Sequence, residues 1–580
     1  MFKTLGYLRP REWAMVCVSI IFIIVQVWLD LKLPEYMGEI TKIITREGTS
    51  EEIWYNGKYM IICALGSLGA AITVGFFASK IGASLSQRLR SMQFNKVDSF
   101  SMTEINKFST ASLITRSTND VTQVQLVVTL GLQIVIKAPI LSIWALTKIA
   151  GRGFEWTAAT GVAVIILLIL FAVIFAFVVP KFRKMQTLTD NINRVARENL
   201  TGLPVVRAYN AESYQEEKFE KANDELTYTQ MYTSRAMALM FPWISLIING
   251  LLLAIYWIGA ILVNNASGMV RVDLFSDMIV FSSYSMQVLM AFMMISILFI
   301  MLPRAQISAK RINEVIDTES TINDGNISDI GAGRGEVVFR NVTFRYPGAA
   351  DDVLHDVSFV VNPGETAAFI GSTGSGKSTV VNLVPRFYDA TEGSILIDGI
   401  DVRELTLDAL HDKIGYVPQK AVLFSGTVTT NVAFGRPASE DDVRSAVKIA
   451  QGTEFVEKMD NTYNAEISRG GSNISGGQKQ RLAIARAVCK RPEIYIFDDS
   501  FSALDYKTDR NLRTVLRNET KGATSLIVAQ RIGTIMDADK IVVLDEGKVV
   551  GIGTHKELLR NCTVYREIAM SQLSEEELSL

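Results

Sequence analysis

Six apolar runs fill the first half of this 580-residue chain, at roughly 14–34, 59–79, 126–147, 157–180, 237–263 and 278–302. Each is near the ~20 residues that a helix needs to cross a bilayer core. Within lipid, every backbone amide must be satisfied inside its own segment, so such runs are expected to be spanning helices. An even number of spans leaves both ends of this region on one side. Lys3, Arg9 and Arg11 precede the first run and assign that side to the cytoplasm by the bias of basic residues. No convincing small-residue cleavage site follows, so the first run is expected to be a retained span rather than a signal peptide. The outer connections then fall around 38–56, 149–156 and 264–275. The inner ones, roughly 80–125 and 181–236, are far longer and charged, with helical periodicity as in Gln215-Glu216-Glu217-Lys218-Phe219. Loops of that length without structure are uncommon, so these are expected to be helices continuing into the cytoplasm.

Composition agrees with a chain that is partly a membrane protein. Hydrophobic residues make up 49%, and mean hydropathy is +0.23. With 58 basic and 60 acidic residues the net charge is −2, which gives no electrostatic case for nucleic acid. Cys17, Cys63, Cys489 and Cys562 are scattered without metal-ligand spacing, and neither a disulfide framework nor, with three histidines, a His-rich metal site is expected.

The pattern changes after Pro303. The region 1–318 reads as a transmembrane domain with helical extensions. Residues 319–335, with Asp324-Gly325-Asn326 and Gly331-Ala332-Gly333-Arg334-Gly335, read as a linker. From 336 to 580, short β-rich runs alternate with helical patterns, as in an α/β domain. The acidic run Glu575-Glu576-Glu577 reads as solvated tail. The expected fold class is an α-helical six-span membrane domain followed by a P-loop α/β nucleotide-binding domain.

The chemistry is concentrated in that second half. Gly371-Ser372-Thr373-Gly374-Ser375-Gly376-Lys377-Ser378 follows the strand-like Thr366–Ile370 and precedes a helical run that begins at Thr379. That is the strand–loop–helix context of a phosphate-binding loop. Backbone amides can turn inward around phosphate oxygens, aided by the helix N-terminus. Lys377 is expected to reach the β- and γ-phosphates of ATP, and the Ser378 hydroxyl to bind Mg²⁺. Asp498 ends the apolar strand Ile494–Phe497 and can hold the same Mg²⁺. A second surface, Ser475-Gly476-Gly477-Gln478, opens another helix. One domain cannot readily place both on one nucleotide, so its natural use is against a nucleotide held by another domain.

Together these motifs resemble the nucleotide-binding domain of ABC transporters, with Walker A at 371–378, the Q-loop at Gln419, the signature at 474–478, Walker B at 494–498 and the D-loop at Ser502-Ala503-Leu504-Asp505. The resemblance assigns Gln419 to both the catalytic set and the Mg²⁺ ligands, and Asp505 to the nucleotide-contacting set. It also makes Tyr346 the aromatic residue that stacks on adenine. With six spans fused ahead of it, the chain resembles an ABC exporter half-transporter. Phe108–Asp120 resembles the first intracellular coupling loop, and Glu198–Gly202 with Val205–Asn210 the second.

Two positions depart from the family pattern. Where the family carries Glu after Walker B, this chain has Asp499, one methylene shorter. Where it carries the switch His, the chain has Gln530, which can donate a neutral hydrogen bond but cannot become cationic. A general base must come within ~2.6–3.2 Å of the attacking water. The signature keeps Ser475, Gly476, Gly477 and Gln478, with Ile474 for the usual Leu. A degenerate ATP site beside an intact signature resembles one subunit of a heterodimeric bacterial multidrug exporter. The implied partner is a second half-transporter with Glu and His at these positions. The implied setting is the cell membrane of a bacterium, with the nucleotide-binding domain cytoplasmic and a small amphipathic substrate. A lipid or peptide exporter and an ATP-gated channel or regulator share the motifs. An importer is disfavoured because its membrane and ATPase parts are commonly separate chains. In the membrane region, Lys137 is the clearest ionisable residue inside a span, a functional hypothesis by default. The last span is Met-rich, with Met278, Met286, Met290, Met293, Met294 and Met301.

Overall fold

A computed structural model describes residues 1–150, 153–329, 331 and 334–573. Parts of the expected linker (Ala332, Gly333) and the acidic run at 575–577 lie outside the described residues. The chain divides into two units, Met1–Val97 with Ala111–Asp317, and Asp98–Thr110 with Thr318–Leu580.

Among the described residues, six helices of the first unit are long and apolar enough to cross a membrane: Pro10–Thr45, Ser50–Asp98, Thr110–Ala150, Phe154–Thr201, Glu212–Asn265 and Met269–Ile295. They outrun the apolar runs at both ends, the last of them continuing as helix to Asp317. Thus 38–56 is mostly helix, with only four residues between Thr45 and Ser50. Lys42 shows why helix persists past the apolar stretch, since it pairs with Glu39 on its own helix and with Asp273 at the start of the last one. The core of this unit gathers Ile23, Val27, Ala138, Ala145, Phe281 and Tyr284. Trp156 is buried there and donates its indole N–H to the Ile255 carbonyl at 3.1 Å.

Lys137 does not stand alone. It pairs with Asp30 at 3.2 Å, and Asp30 also accepts from the Ser67 hydroxyl. Higher along the same helices, Glu35 takes both Lys32, at 2.6 Å, and Lys148, at 2.7 Å. A charge within a span is expensive unless it is paired, and Asp30 and Glu35 supply that pairing. Of the methionines, Met278 is buried against Gly259, while Met290 is exposed.

The second unit contains β1 (Val337–Phe344), β2 (Leu354–Val361), β3 (Thr366–Gly371), β4 (Glu392–Ile397), β5 (Ile400–Asp401), β6 (Ile414–Val417), β7 (Gly426–Thr427), β8 (Glu466–Ile467), β9 (Ile494–Asp498), β10 (Thr524–Val528), β11 (Lys540–Asp545) and β12 (Lys548–Gly553). An antiparallel sheet runs β2-β1-β4-β5. A six-stranded sheet runs β12-β11-β3-β10-β9-β6, parallel except for the edge strand β12. The parallel strands are covered on both faces and so read as unbroken apolar runs rather than alternating ones; all five residues of β9 are buried.

Register decides what these strands deliver. Val528 of β10 lies opposite Phe369 of β3 on one side and Asp498 of β9 on the other. Val417 of β6 lies opposite Phe497 of β9. Four carboxyl ends therefore finish side by side, the usual place for a ligand crevice in such sheets. The segment 98–110 belongs to this unit. Its short helix Met102–Phe108 begins with a reciprocal cap between Ser101 and Glu104, and Glu104 also accepts from the Thr321 amide at 3.2 Å.

Candidate functional site

Each of the four strand ends opens into one predicted motif. β3 runs into the loop 371–378, β9 ends on Asp498 and leads to Asp499, β10 leads to Gln530, and β6 leads to Gln419. The loop requires glycine for two separate reasons. A Cβ on Gly371 would sit 1.9 Å from the Leu544 carbonyl oxygen. Gly376 has φ +93° and caps the helix Lys377–Leu383 with its backbone already left-handed.

Within this cradle Lys377 donates to the Gly371 carbonyl at 3.0 Å and the Ser372 carbonyl at 2.7 Å. Burial pushes its pKa down, partly offset by Asp499 and Asp498. The Ser378 hydroxyl donates to Asp498 at 2.8 Å. Asp498 is buried, and its pKa is raised chiefly by burial and also by neighbouring Asp499; Ser378 and Lys377 pull it back. A hydroxyl and a carboxylate held together in this way form an all-oxygen donor pair, which suits a hard cation such as Mg²⁺. Ser372, Thr373 and Gly374 are exposed on the loop, and Ser375 is buried at its base.

Asp499 has φ +45°, in the left-handed region that Asp and Asn tolerate better than other side-chain-bearing residues. Its amide is fixed to the Val528 carbonyl at 3.0 Å. This turn directs the carboxylate at two neutral amides. Gln530 Nε2 donates to Asp499 Oδ2 at 2.9 Å, and Gln419 Nε2 reaches the same oxygen at 3.4 Å. The structure thus joins the two residues that depart from the family pattern, through one hydrogen bond.

Tyr346 bonds to Thr379 at 3.1 Å between hydroxyls and packs edge-on against Phe344 and Tyr388. Tyr388 accepts from Asn106 at 3.2 Å, so the 102–108 helix lies one ring away from Tyr346. Sequence reading missed both Tyr388 and Asn106. Nothing local marks a pair 282 residues apart.

The signature forms a second group. Its helix, Gly476–Lys490, starts well before the apolar stretch at Leu482. Ser475 and Gln478 make a reciprocal capping box: the Ser475 amide donates to Gln478 Oε1 at 2.9 Å, and Ser475 Oγ accepts from the Gln478 amide. The motif therefore also has a plain structural duty. Gly477 faces the D-loop, and a Cβ there would meet the Ala503 carbonyl at 3.3 Å. Asp505 uses its carboxylate to cap the helix Tyr506–Glu519, accepting from the Thr508 amide at 3.0 Å.

Comparison with known proteins gives a consistent answer. Residues 354–502 match the ABC transporter family model, and residues 16–304 match that of the ABC transporter transmembrane region. An uncharacterized ABC transporter ATP-binding protein of Mycobacterium tuberculosis is 38% identical over 98% of this chain and 97% of its own. An ATP-dependent lipid A-core flippase of Pseudomonas fluorescens is 32% identical over 88% of this chain and 84% of its own. Among solved structures, a bacterial Atm1-family ABC exporter with ATP bound superposes with a TM-score of 0.80 at 27% identity, over 97% of this chain and 98% of the other. Six spanning helices fused to a domain with this strand order and these loops establish that the chain belongs to the ABC transporter family, as an exporter half-transporter.

Proposed function

We propose that the chain is the degenerate-site subunit of a heterodimeric ATP-driven exporter. It binds ATP with Mg²⁺ at its own Walker motifs, hydrolyses it slowly, and lends Ser475–Gln478 to a competent site on a partner half-transporter. The observation that carries this reading is the hydrogen bond from Gln530 to Asp499. A carboxylate that already accepts from two amides, on a side chain one methylene short, is poorly equipped to take a proton from water. The main phosphate contacts do not depend on either residue, and Gln530 adds a neutral amide donor toward the terminal phosphate. The loop amides and Lys377 supply those main contacts, and the pair Ser378 and Asp498, with Gln419, suits the cation. Mg²⁺ held there would offset phosphate charge. Tyr346 offers a face for adenine. Closure of the nucleotide-binding domains on ATP would be felt at Asn106 through Tyr388, which links the site to the helix Met102–Phe108, just ahead of the segment resembling the first coupling loop.

Export of drugs or other amphipathic compounds is the reading we favour for the cargo. Lipid export is the second reading, because relatives 30–32% identical over 86–89% of this chain are named lipid A-core flippases. Inverted membrane vesicles that contain the chain with its partner separate the two. ATP-dependent uptake of a labelled amphipathic drug is expected. Movement of labelled lipid between leaflets without drug uptake would favour the second reading, and neither activity would point to an ATP-gated channel or regulator.

A further inference from the structure

The Gln530 loop is held from behind by a residue outside every motif named so far. Past β10 the Ala529 amide still bonds to β3, at the Phe369 carbonyl. The next two residues leave the sheet, and a short helix, Ile532–Ile535, begins. Its cap residue Arg531 makes no side-chain cap bond. The loop thus carries a carbonyl at Gln530 and an amide at Ile532 that secondary structure does not satisfy. One side chain takes both. Gln572 Nε2 donates to the Gln530 carbonyl at 2.9 Å, and Gln572 Oε1 accepts from the Ile532 amide at 2.8 Å. A primary amide used in this way mimics a neighbouring strand, with one donor and one acceptor on either side of Arg531.

The clamp has a rigid base. Gln572 lies just beyond the helix Thr563–Met570, and its own amide bonds back to the Ala569 carbonyl at 3.1 Å. Tyr565 and Ala569 are fully buried in the same apolar cluster as Ala529, Ile532 and Ile535. Tyr565 is tied to His555 at 2.7 Å. On the opposite side of the loop, the Gln530 side chain donates to Asp499. Gln530 is therefore held at two points, its main chain by Gln572 and its side chain by Asp499.

We infer that Gln572 is a positioning residue for the nucleotide site, fixing the loop so that the Gln530 amide faces Asp499 and the terminal phosphate of ATP. This rests on the reading that Gln530 acts at that site. The C-terminal helix then sets the geometry of the switch position through a single side chain.

The test uses the full-length chain in lipid nanodiscs and the dissociation rate of a fluorescent ATP analogue with Mg²⁺. The phase abolished by Lys377→Ala identifies this chain's own site. Gln572→Met keeps the side chain's length and removes both hydrogen bonds. It is expected to speed dissociation about three- to tenfold, the scale of one or two lost hydrogen bonds. Gln572→Ala should do the same, and Gln530→Ala should match or exceed both. In the Gln530→Ala background, Gln572→Met should add less than about 1.5-fold, because no side chain is left to position. A purely structural role would lower the melting temperature and add its effect in either background. Additive effects would therefore overturn the inference. So would an unchanged rate in Gln572→Met alongside a faster one in Gln530→Ala, which leaves the reading of Gln530 intact. No change in Gln530→Ala would remove that reading and the clamp with it.

Discussion

Lengthening the side chain at 499 is the sharpest perturbation the site allows. Asp499→Glu adds one methylene, about 1.5 Å of reach. A misplacement of roughly 1 Å can lower turnover ~10²-fold, equivalent to about 2.7 kcal/mol. Two features of the structure oppose a full recovery. The carboxylate is engaged by Gln530 at 2.9 Å, and a longer side chain does not by itself release it. The backbone at 499 is left-handed, φ +45°, where Glu is less at home than Asp, at up to about 1 kcal/mol of stability. That second effect is common to every step of the cycle. It should appear as a melting temperature lower by ~2–4 °C rather than in the rate. Steady-state ATP hydrolysis by the full-length chain in nanodiscs is expected to rise about tenfold in Asp499→Glu and towards ~10²-fold when Gln530→His is added, with KM for ATP little changed. Turnover within twofold of the unmodified chain in both variants, with nucleotide binding intact, would refute the argument from reach.

Other expectations follow from single contacts. Lys377→Ala should weaken ATP binding at least about tenfold in a nucleotide titration, yet barely move the melting temperature, because the hydrogen bonds of Lys377 stay within its own loop, to the Gly371 and Ser372 carbonyls and the Ser375 hydroxyl. Asp498 has a raised pKa in the folded protein, so folding favours its protonated form. Its contribution to stability is present at low pH and lost as pH rises through that pKa. Asp498→Asn should therefore raise the melting temperature at pH 7 and flatten its acid-side dependence, while Mg²⁺-dependent nucleotide binding falls. In the unmodified chain that binding should weaken on acidification from above the ordinary aspartate range of about 4. Lys413 is buried between Asp398 and Glu493. Asp398 in turn holds the amides of Arg334, Gly335 and Glu336. Lys413→Ala should destabilise the domain by about 3 kcal/mol in chemical denaturation.

The two-part fold was legible because its signals are local. A run of ~20 apolar residues, or a glycine-rich loop between a strand and a helix, is constrained by physics acting over one element. Helix ends were less legible, since hydropathy reports the thickness of lipid while the helices run on for as long as pairs such as Lys42–Asp273 support them. The candidate site was visible as separate motifs. Their convergence depends on the parallel register of β3, β10, β9 and β6, which no single segment encodes. Partners remote in sequence were invisible for the same reason: Asp30 for Lys137, Asn106 for Tyr388 and Gln572 for Gln530 are contacts that exist only once the chain has folded. The left-handed turn at Asp499 could have been suspected, since a short acidic residue there suits that conformation.

The asymmetry of the site is tested most directly by measuring ATP hydrolysis and ATP retention together, on the purified full-length chain alone and after co-expression with a half-transporter that carries Glu and His at the corresponding positions. Alone, the chain is expected to hold ATP and release little phosphate, and assembly should restore turnover while this chain's own site stays occupied. Vigorous hydrolysis by the chain alone, undiminished by Asp499→Ala, would contradict the asymmetric reading.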